Sequence, residues 1–240
     1  MKKLLLMAFL AVGMTAYAQV VDKKTVEVKE VEVKEVEVNG GGISLDDDKN
    51  WKMHLNVGID IPTGAPDGVD FAPFRSWEIG LTVAQYEYTP KKSKTTLCVG
   101  IGFDWRNYTL SGHDKMFWKA NDVVSVINRD GKMSELTSRI STTSLSLPLM
   151  VKQSFSKSFA VSLGAQLNWN FYSRVNNYYE ENDNEIDIQT KKIGERPITV
   201  DVLGMLHFGD FAVYCKYSPM SVLKKDKGPD FKSLAVGFYF

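Results

Sequence analysis

Ser111-Gly112-His113-Asp114 puts a hydroxyl, an imidazole and a carboxylate within four residues. These are the group types of a nucleophile, its base and an orienting acid in acyl transfer. Triads are assembled by the fold from distant positions, and sequence neighbours rarely reach that geometry. The stretch therefore reads first as the start of a solvated loop, with a hydrolase as the third-ranked reading. His54 and His207 are the other two imidazoles. As a metal pair they would need a third ligand that the pattern does not supply, so hydrogen-bonded buried histidines are expected. No phosphate-binding loop, cysteine cluster or paired-carboxylate motif is present. No catalytic residue, metal ligand or cofactor is expected, and the chain is read as a non-enzyme.

The elements that hold these groups follow from Phe159 to Tyr172. Odd positions carry Phe159, Val161, Leu163, Ala165, Leu167, Trp169 and Phe171, and even positions carry Ala160, Ser162, Gly164, Gln166, Asn168 and Asn170. A period of two makes this a strand with one apolar and one polar face. It is long enough to cross a bilayer as a tilted strand, which takes about 9–11 residues. Seven further segments alternate in the same way. Their apolar faces are led by Trp51, Trp77, Leu97, Leu145, Ile198, Phe211 and Leu234. The connections at 89–95, 153–158 and 209–210 are short, and those at 62–75, 106–138, 173–196 and 218–231 are long. Eight strands with alternating short and long connections predict an all-β, eight-stranded antiparallel up-and-down transmembrane barrel, with short periplasmic turns and long outer loops.

The ends of the chain agree with export. Lys2 and Lys3, the apolar run Leu4 to Met14 and Thr15-Ala16-Tyr17-Ala18-Gln19 form a signal peptide over residues 1–18, with cleavage expected near Ala18-Gln19. Val26 to Gly40 repeats Val-Glu-Val-Lys-Glu. An isolated strand of this kind has nothing to pack against, so residues 19–49 are expected to be a disordered periplasmic tether, with strand addition to a partner as the sharper alternative. Residues 50–240 form the barrel domain. The formal net charge of zero gives no basic excess for nucleic acid. The two cysteines, Cys98 and Cys215, are too few for a disulfide-built domain. Both are expected on apolar, lipid-facing strand positions.

A soluble lipocalin-like barrel has the same period, and the faces decide between the two. The apolar face carries no charge within the spans. The other face carries Lys52, His54, Asp60, Glu78, Asp104, Lys152, Asp201, His207 and Lys216, among small residues such as Gly58, Gly80, Gly100 and Gly164. Charged and small residues suit the narrow interior of eight strands. They predict a lumen plugged by paired charges, with a small-solute pore as the runner-up.

The hairpin Ser144 to Trp169 resembles that of PorT-like outer-membrane β-barrel domains, through Leu147, Pro148, Leu149, Met150, Val151, Lys152 and Gly164. The C-terminal Leu234 to Phe240 is similar to the assembly signal of outer-membrane barrels, carried by Phe238 and the terminal Phe240. The resemblance implies location in the cell outer membrane, contact with its lipids and lipopolysaccharide, and recognition of the last strand by the barrel-assembly machinery. It carries over no catalytic or ligand residue. Binding is expected in the outer loops, where Phe117, Trp118, Tyr178 and Tyr179 are the candidate surface-binding residues for a protein partner. The acidic run Glu180 to Asp187 and the basic Lys224, Lys225 and Lys227 occupy different outer loops and are expected either to attract each other or to bind. A lipid-modifying enzyme centred on His113 is the remaining alternative.

Overall fold

A computed structural model of the chain describes residues 43–44, 51–129, 134–181 and 184–240. Eight strands form the frame: β1 (Trp51–Thr63), β2 (Trp77–Tyr88), β3 (Thr95–Thr109), β4 (Ser134–Ser154), β5 (Phe159–Glu181), β6 (Ile198–Phe208), β7 (Phe211–Ser218) and β8 (Lys232–Tyr239). Each is antiparallel to its sequence neighbours, and β8 pairs with β1, Phe238 opposite Val57, to close the ring. The protein is an eight-stranded up-and-down β-barrel. Closure leaves no open edge in the ring, as a strand-built membrane span requires. Ile43–Ser44 pair with Lys52 and Met53 on β1. The expected signal peptide and the rest of the expected tether lie outside the described residues.

The faces follow the period of two. Leu163 is 67% exposed on the outside of β5, and its neighbour Ser162 is 1% exposed inside. Leu97, Val99, Ile101, Leu147, Leu149, Val151, Val200, Val202 and Leu206 make the outward apolar band. Aromatic rings edge it at both ends. At the short-turn end, Phe159, Phe208, Phe211, Phe238 and Phe240 run as a chain with successive centroids 5.6, 5.9, 6.3 and 6.4 Å apart. Trp77, Trp105, Trp169 and Phe171 sit at the long-loop end. An outward apolar belt between two aromatic girdles, wrapped around a polar interior, is the arrangement of a bilayer-spanning barrel and the inverse of a soluble one.

Bulges at Val83 and Phe171 reset the alternation, and a third register shift lies between Ser134 and Thr137 on β4. Val83 is an extra residue on β2, between the pairs Thr82–Gly102 and Ala84–Ile101. Beyond it Gln85 is buried, and Glu87 is brought beside Lys52. Phe171 is an extra residue on β5, between Asn170–Ser144 and Tyr172–Thr143. Beyond it Ser173, Val175, Asn177 and Tyr179 turn inward and are buried. One expectation is corrected here: Cys98 is 2% exposed and belongs to the lumen face, between the outward Leu97 and Val99, whereas Cys215 is exposed as expected.

Two of the long connections are more ordered than expected. β4 and β5 run well past the girdle, and Asn184–Lys191 pairs with the upper part of β5, so a sheet protrudes from the barrel. Within 106–138, β3 continues to Thr109, and Lys115–Ala120 pairs with Val123–Asn128 as a hairpin. Asn121 and Asp122, at φ 50° and 60°, supply the positive φ values that a two-residue hairpin turn needs. This hairpin lies on the inner face of the protruding sheet. Phe117 N donates to Ser138 Oγ at 2.8 Å, and Asn177 Nδ2 donates to the Phe117 carbonyl at 2.8 Å. Tyr108, Leu110, Phe117, Val124, Ile140, Val175, Ile193, Leu223 and Phe231 form an apolar core there. Phe231 is its centre, 4.6 Å from the Phe71 ring and 5.2 Å from Tyr108. The core caps the long-loop mouth of the barrel.

Candidate functional site

The lumen holds one connected ionic network. Glycines make the room for it: a Cβ at Gly58 would collide with the Tyr214 hydroxyl, and one at Gly80 with Asn56. Arg106 Nη2 reaches Asp201 Oδ2 at 2.5 Å and Asp104 Oδ2 at 3.1 Å, and its Nε lies 3.1 Å from Glu78 Oε2. Lys216 Nζ lies 2.7 Å from Asp104 Oδ2 and 2.8 Å from Glu78 Oε2. Tyr214 donates to Glu78 Oε1 at 2.7 Å, Gln166 to Asp104 Oδ2 at 2.6 Å and Asn168 to Asp201 Oδ2 at 2.7 Å. Asp60 accepts from Ser233. Charges taken out of water need partners of this quality to persist. The members of the network are all buried, and a cavity beside Gln166, Met150, Met205 and Tyr239 measures about 10 Å³, roughly one water.

Toward the short-turn end a second cluster is joined through Gln85, whose Nε2 donates to Glu87 Oε1 at 3.2 Å and whose Oε1 accepts from the Tyr239 hydroxyl at 3.1 Å. Lys52 Nζ meets Glu87 Oε2 at 2.8 Å. His54 stacks on Tyr239 with centroids 4.6 Å apart, and its Nε2 lies 3.3 Å from Gln85. His207 Nε2 lies 2.7 Å from Ser162 Oγ. Both histidines are inward and hydrogen-bonded, as expected. Among the described residues, no three His, Cys, Asp or Glu side chains group closely enough to hold a metal ion.

At the long-loop end the tempting tetrad is an exposed turn. Gly112 has φ +85°, and His113 Nδ1 lies 3.2 Å from the Leu136 carbonyl. That contact ties His113 to the start of β4. Of the four candidate binding residues, Phe117 is 0% exposed in the cap core and Tyr179 is 4% exposed in a separate cluster with Met116 and Leu136, so only Trp118 and Tyr178, at 41% and 37%, stand at the surface. The acidic and basic loops do meet, through backbone. Lys224 N donates to the Gly194 carbonyl at 2.8 Å and Arg196 N to the Val222 carbonyl at 3.0 Å.

Sequence reasoning stopped β3 at Trp105 and so missed Arg106, the cation that gathers three carboxylates. Extending the even positions 100, 102 and 104 by one step would have found it. It also missed Phe74 in the first long loop, which is 91% exposed.

No protein-family model and no curated protein matches the chain. Six chains of solved structures match. One is the crystal structure of Ail, the attachment invasion locus protein of Yersinia pestis. It is 9% identical, with 80% of this chain and 98% of that chain covered and a TM-score of 0.34. The fold assignment rests on this chain's own strand order and faces.

Proposed function

We propose that the chain is an integral outer-membrane barrel with a structural and surface-interaction role, exported by its N-terminal signal and acting through the protruding sheet. The observation that carries this reading is the contrast between the two ends of one wall. Between its girdles the barrel presents only apolar side chains. Beyond the long-loop girdle the same strands continue as an exposed polar sheet bearing Tyr178, Asp187 and Gln189. Strand length beyond the membrane is not needed for anchorage, and polar sheet held clear of the bilayer is suited to contact with other molecules. Short turns and both ends of the barrel would then face the periplasm.

The resemblance of the Pro148 hairpin to PorT-like barrels supports the same class. Gly100 leaves just enough space for the Pro148 ring, whose Cγ would lie 3.1 Å from a Cβ there. Outer-membrane lipids would surround the girdles. The assembly machinery would read the last strand through Phe238 and Phe240. A protein partner would meet Trp118 and Tyr178.

The buried lumen network and the apolar cap favour this reading over solute passage. Planar-bilayer recording of the purified barrel separates the two. The proposal expects no discrete conductance steps, and stable unitary currents from the folded protein would replace it with the pore.

A further inference from the structure

We infer that the outward face of the protruding sheet, immediately above the long-loop girdle, is a binding site for the phosphate of an anionic lipid of the outer leaflet, formed by Arg139, Arg174 and Lys191 around Tyr172. The inference deepens the membrane reading and rests on it.

Cross-strand register orders the outward side chains by their distance along the tilted strands beyond the girdle. One row reads Ile79, Trp105, Thr143, Tyr172. The next reads Trp77, Asn107, Ser141, Arg174, Lys191. The row above that reads Thr109, Arg139, Asn176, Gln189, and the Arg75 carbonyl accepts from Thr109 Oγ1 at 2.9 Å at its edge. Only then come Thr137, Tyr178 and Asp187, followed by Glu180 opposite Glu185. Charge is therefore layered. Cations occupy the two rows that follow Tyr172, the first of them sharing its row with Trp77, and carboxylates begin one row higher. A same-face step along a strand is about 7 Å, so the cations stand at headgroup depth when the girdle marks the apolar boundary.

The cations converge. The Arg174 guanidinium lies 5.9 Å and Lys191 Nζ 5.8 Å from the centre of the one Tyr172 ring. They are also direct cross-strand partners. Like charges directly opposite in a sheet destabilise it. Among the described residues no carboxylate lies within ion-pair distance of Arg174, Lys191 or Arg139. Gln189 accepts from Arg174 Nη1 at 2.8 Å, which takes one of five guanidinium donors. An anion seated between the two side chains would convert the repulsion into charge-assisted hydrogen bonds, and phosphate matches the guanidinium fork. A lipid phosphate comes with acyl chains, for which the apolar rows below Tyr172 provide the surface. Free phosphate would gain nothing from them.

Native mass spectrometry of the detergent-solubilised barrel titrated with bis-phosphorylated lipid A tests this, with dephosphorylated lipid A and inorganic phosphate as separate arms. The expected result is saturable binding of the phosphorylated lipid, at least tenfold weaker binding of the dephosphorylated one, and no displacement by millimolar inorganic phosphate. The R139Q/R174Q/K191Q variant should lose at least tenfold. K224Q/K225Q/K227Q, with the same loss of charge in the last loop, should bind as the unaltered barrel does. Equal losses in the two triple variants, or no loss in the first, overturn the site. Displacement by inorganic phosphate overturns the lipid as its ligand. The two lipid arms on the unaltered protein need no variant to fold, and heat-modifiable gel mobility reports folding of each variant. A chain that never inserts into liposomes would defeat the membrane reading. A chain that inserts but ignores the lipid phosphate defeats only this site.

Discussion

Lys216 on β7 and Asp104 on β3 meet across the full width of the barrel, Nζ to Oδ2 at 2.7 Å. In a ring of eight strands these two are diametrically opposed, so the contact braces the wall from inside. Lys216→Met leaves Asp104 and Glu78 with one cation fewer, buried away from bulk water. Removing one partner of a buried pair costs about 3–5 kcal/mol, and that loss is expected in urea unfolding of the micelle-embedded barrel. Adding Asp104→Asn to Lys216→Met should recover part of it, because the strandedness of the carboxylate is the larger share of the cost. A fully additive double variant would mean that the two residues do not interact.

The wall has a sharper test in the neighbours Leu163 and Ser162. Arg at a lipid-facing site near the bilayer midplane costs roughly 2–4 kcal/mol, and Leu163→Arg should lose about that much. Leu163→Phe should be tolerated, since lipid moulds to the ring. Ser162 is buried with its hydroxyl on His207, so Ser162→Phe should be worse than Leu163→Phe. Urea titrations in liposomes rank the variants. Neutral Ser162→Phe and Ser162→Arg would exchange inside and outside.

The strand number, both faces and the girdles were legible because lipid outside and a narrow lumen inside enforce a period of two over every span. Legibility ended where that enforcement ended. The bulge at Val83 reversed parity and hid the lumen pair Lys52–Glu87. Above Phe171 the inner face of the sheet is covered by a hairpin, so Val175 and Tyr179 are buried there while the outward Asn176 is buried too, and alternation of hydrophobicity fades. Of the site, inward charges could be listed from the pattern. Which cation served which carboxylate could not, because contacts such as Lys216 to Asp104 depend on barrel closure. The layering of cations over Tyr172 depends on register across strands, which no single segment records.

The cap predicts separable stability. Phe117 is fully buried in it, but the hairpin carrying Phe117 pairs with no barrel strand. Phe117→Ala creates a cavity of the kind that costs about 3–5 kcal/mol in a closed core. Here the loss should appear as local opening. Trypsin should cut at Lys119, Lys224 or Lys225 markedly faster, while the temperature at which the barrel loses heat-modifiable mobility should stay within a few degrees. A parallel fall of the barrel transition would show that cap and wall unfold together.

Gly164 carries the final test, because its surroundings differ so clearly from those of Gly204 on the neighbouring strand. A Cβ at Gly164 would run into the Leu149 carbonyl and come within 2.7 Å of the Met150 Cα, both backbone of β4. Neither can move without disturbing the β4–β5 ladder. A Cβ at Gly204 meets only Leu163 Cδ2, at an ordinary 3.5 Å. Both are strand glycines, so replacing either with alanine lowers the entropy of the unfolded chain to a similar degree. Their difference therefore reports the steric contribution together with the small gain of placing a methyl against lipid at the outward Gly204. Gly164→Ala should destabilise by about 1–3 kcal/mol, the usual range for overpacking. Gly204→Ala should be neutral or slightly stabilising. The pair of urea midpoints decides it, and equal midpoints would mean that β4 and β5 do not approach as closely at Gly164 as the register Met150–Gly164 requires.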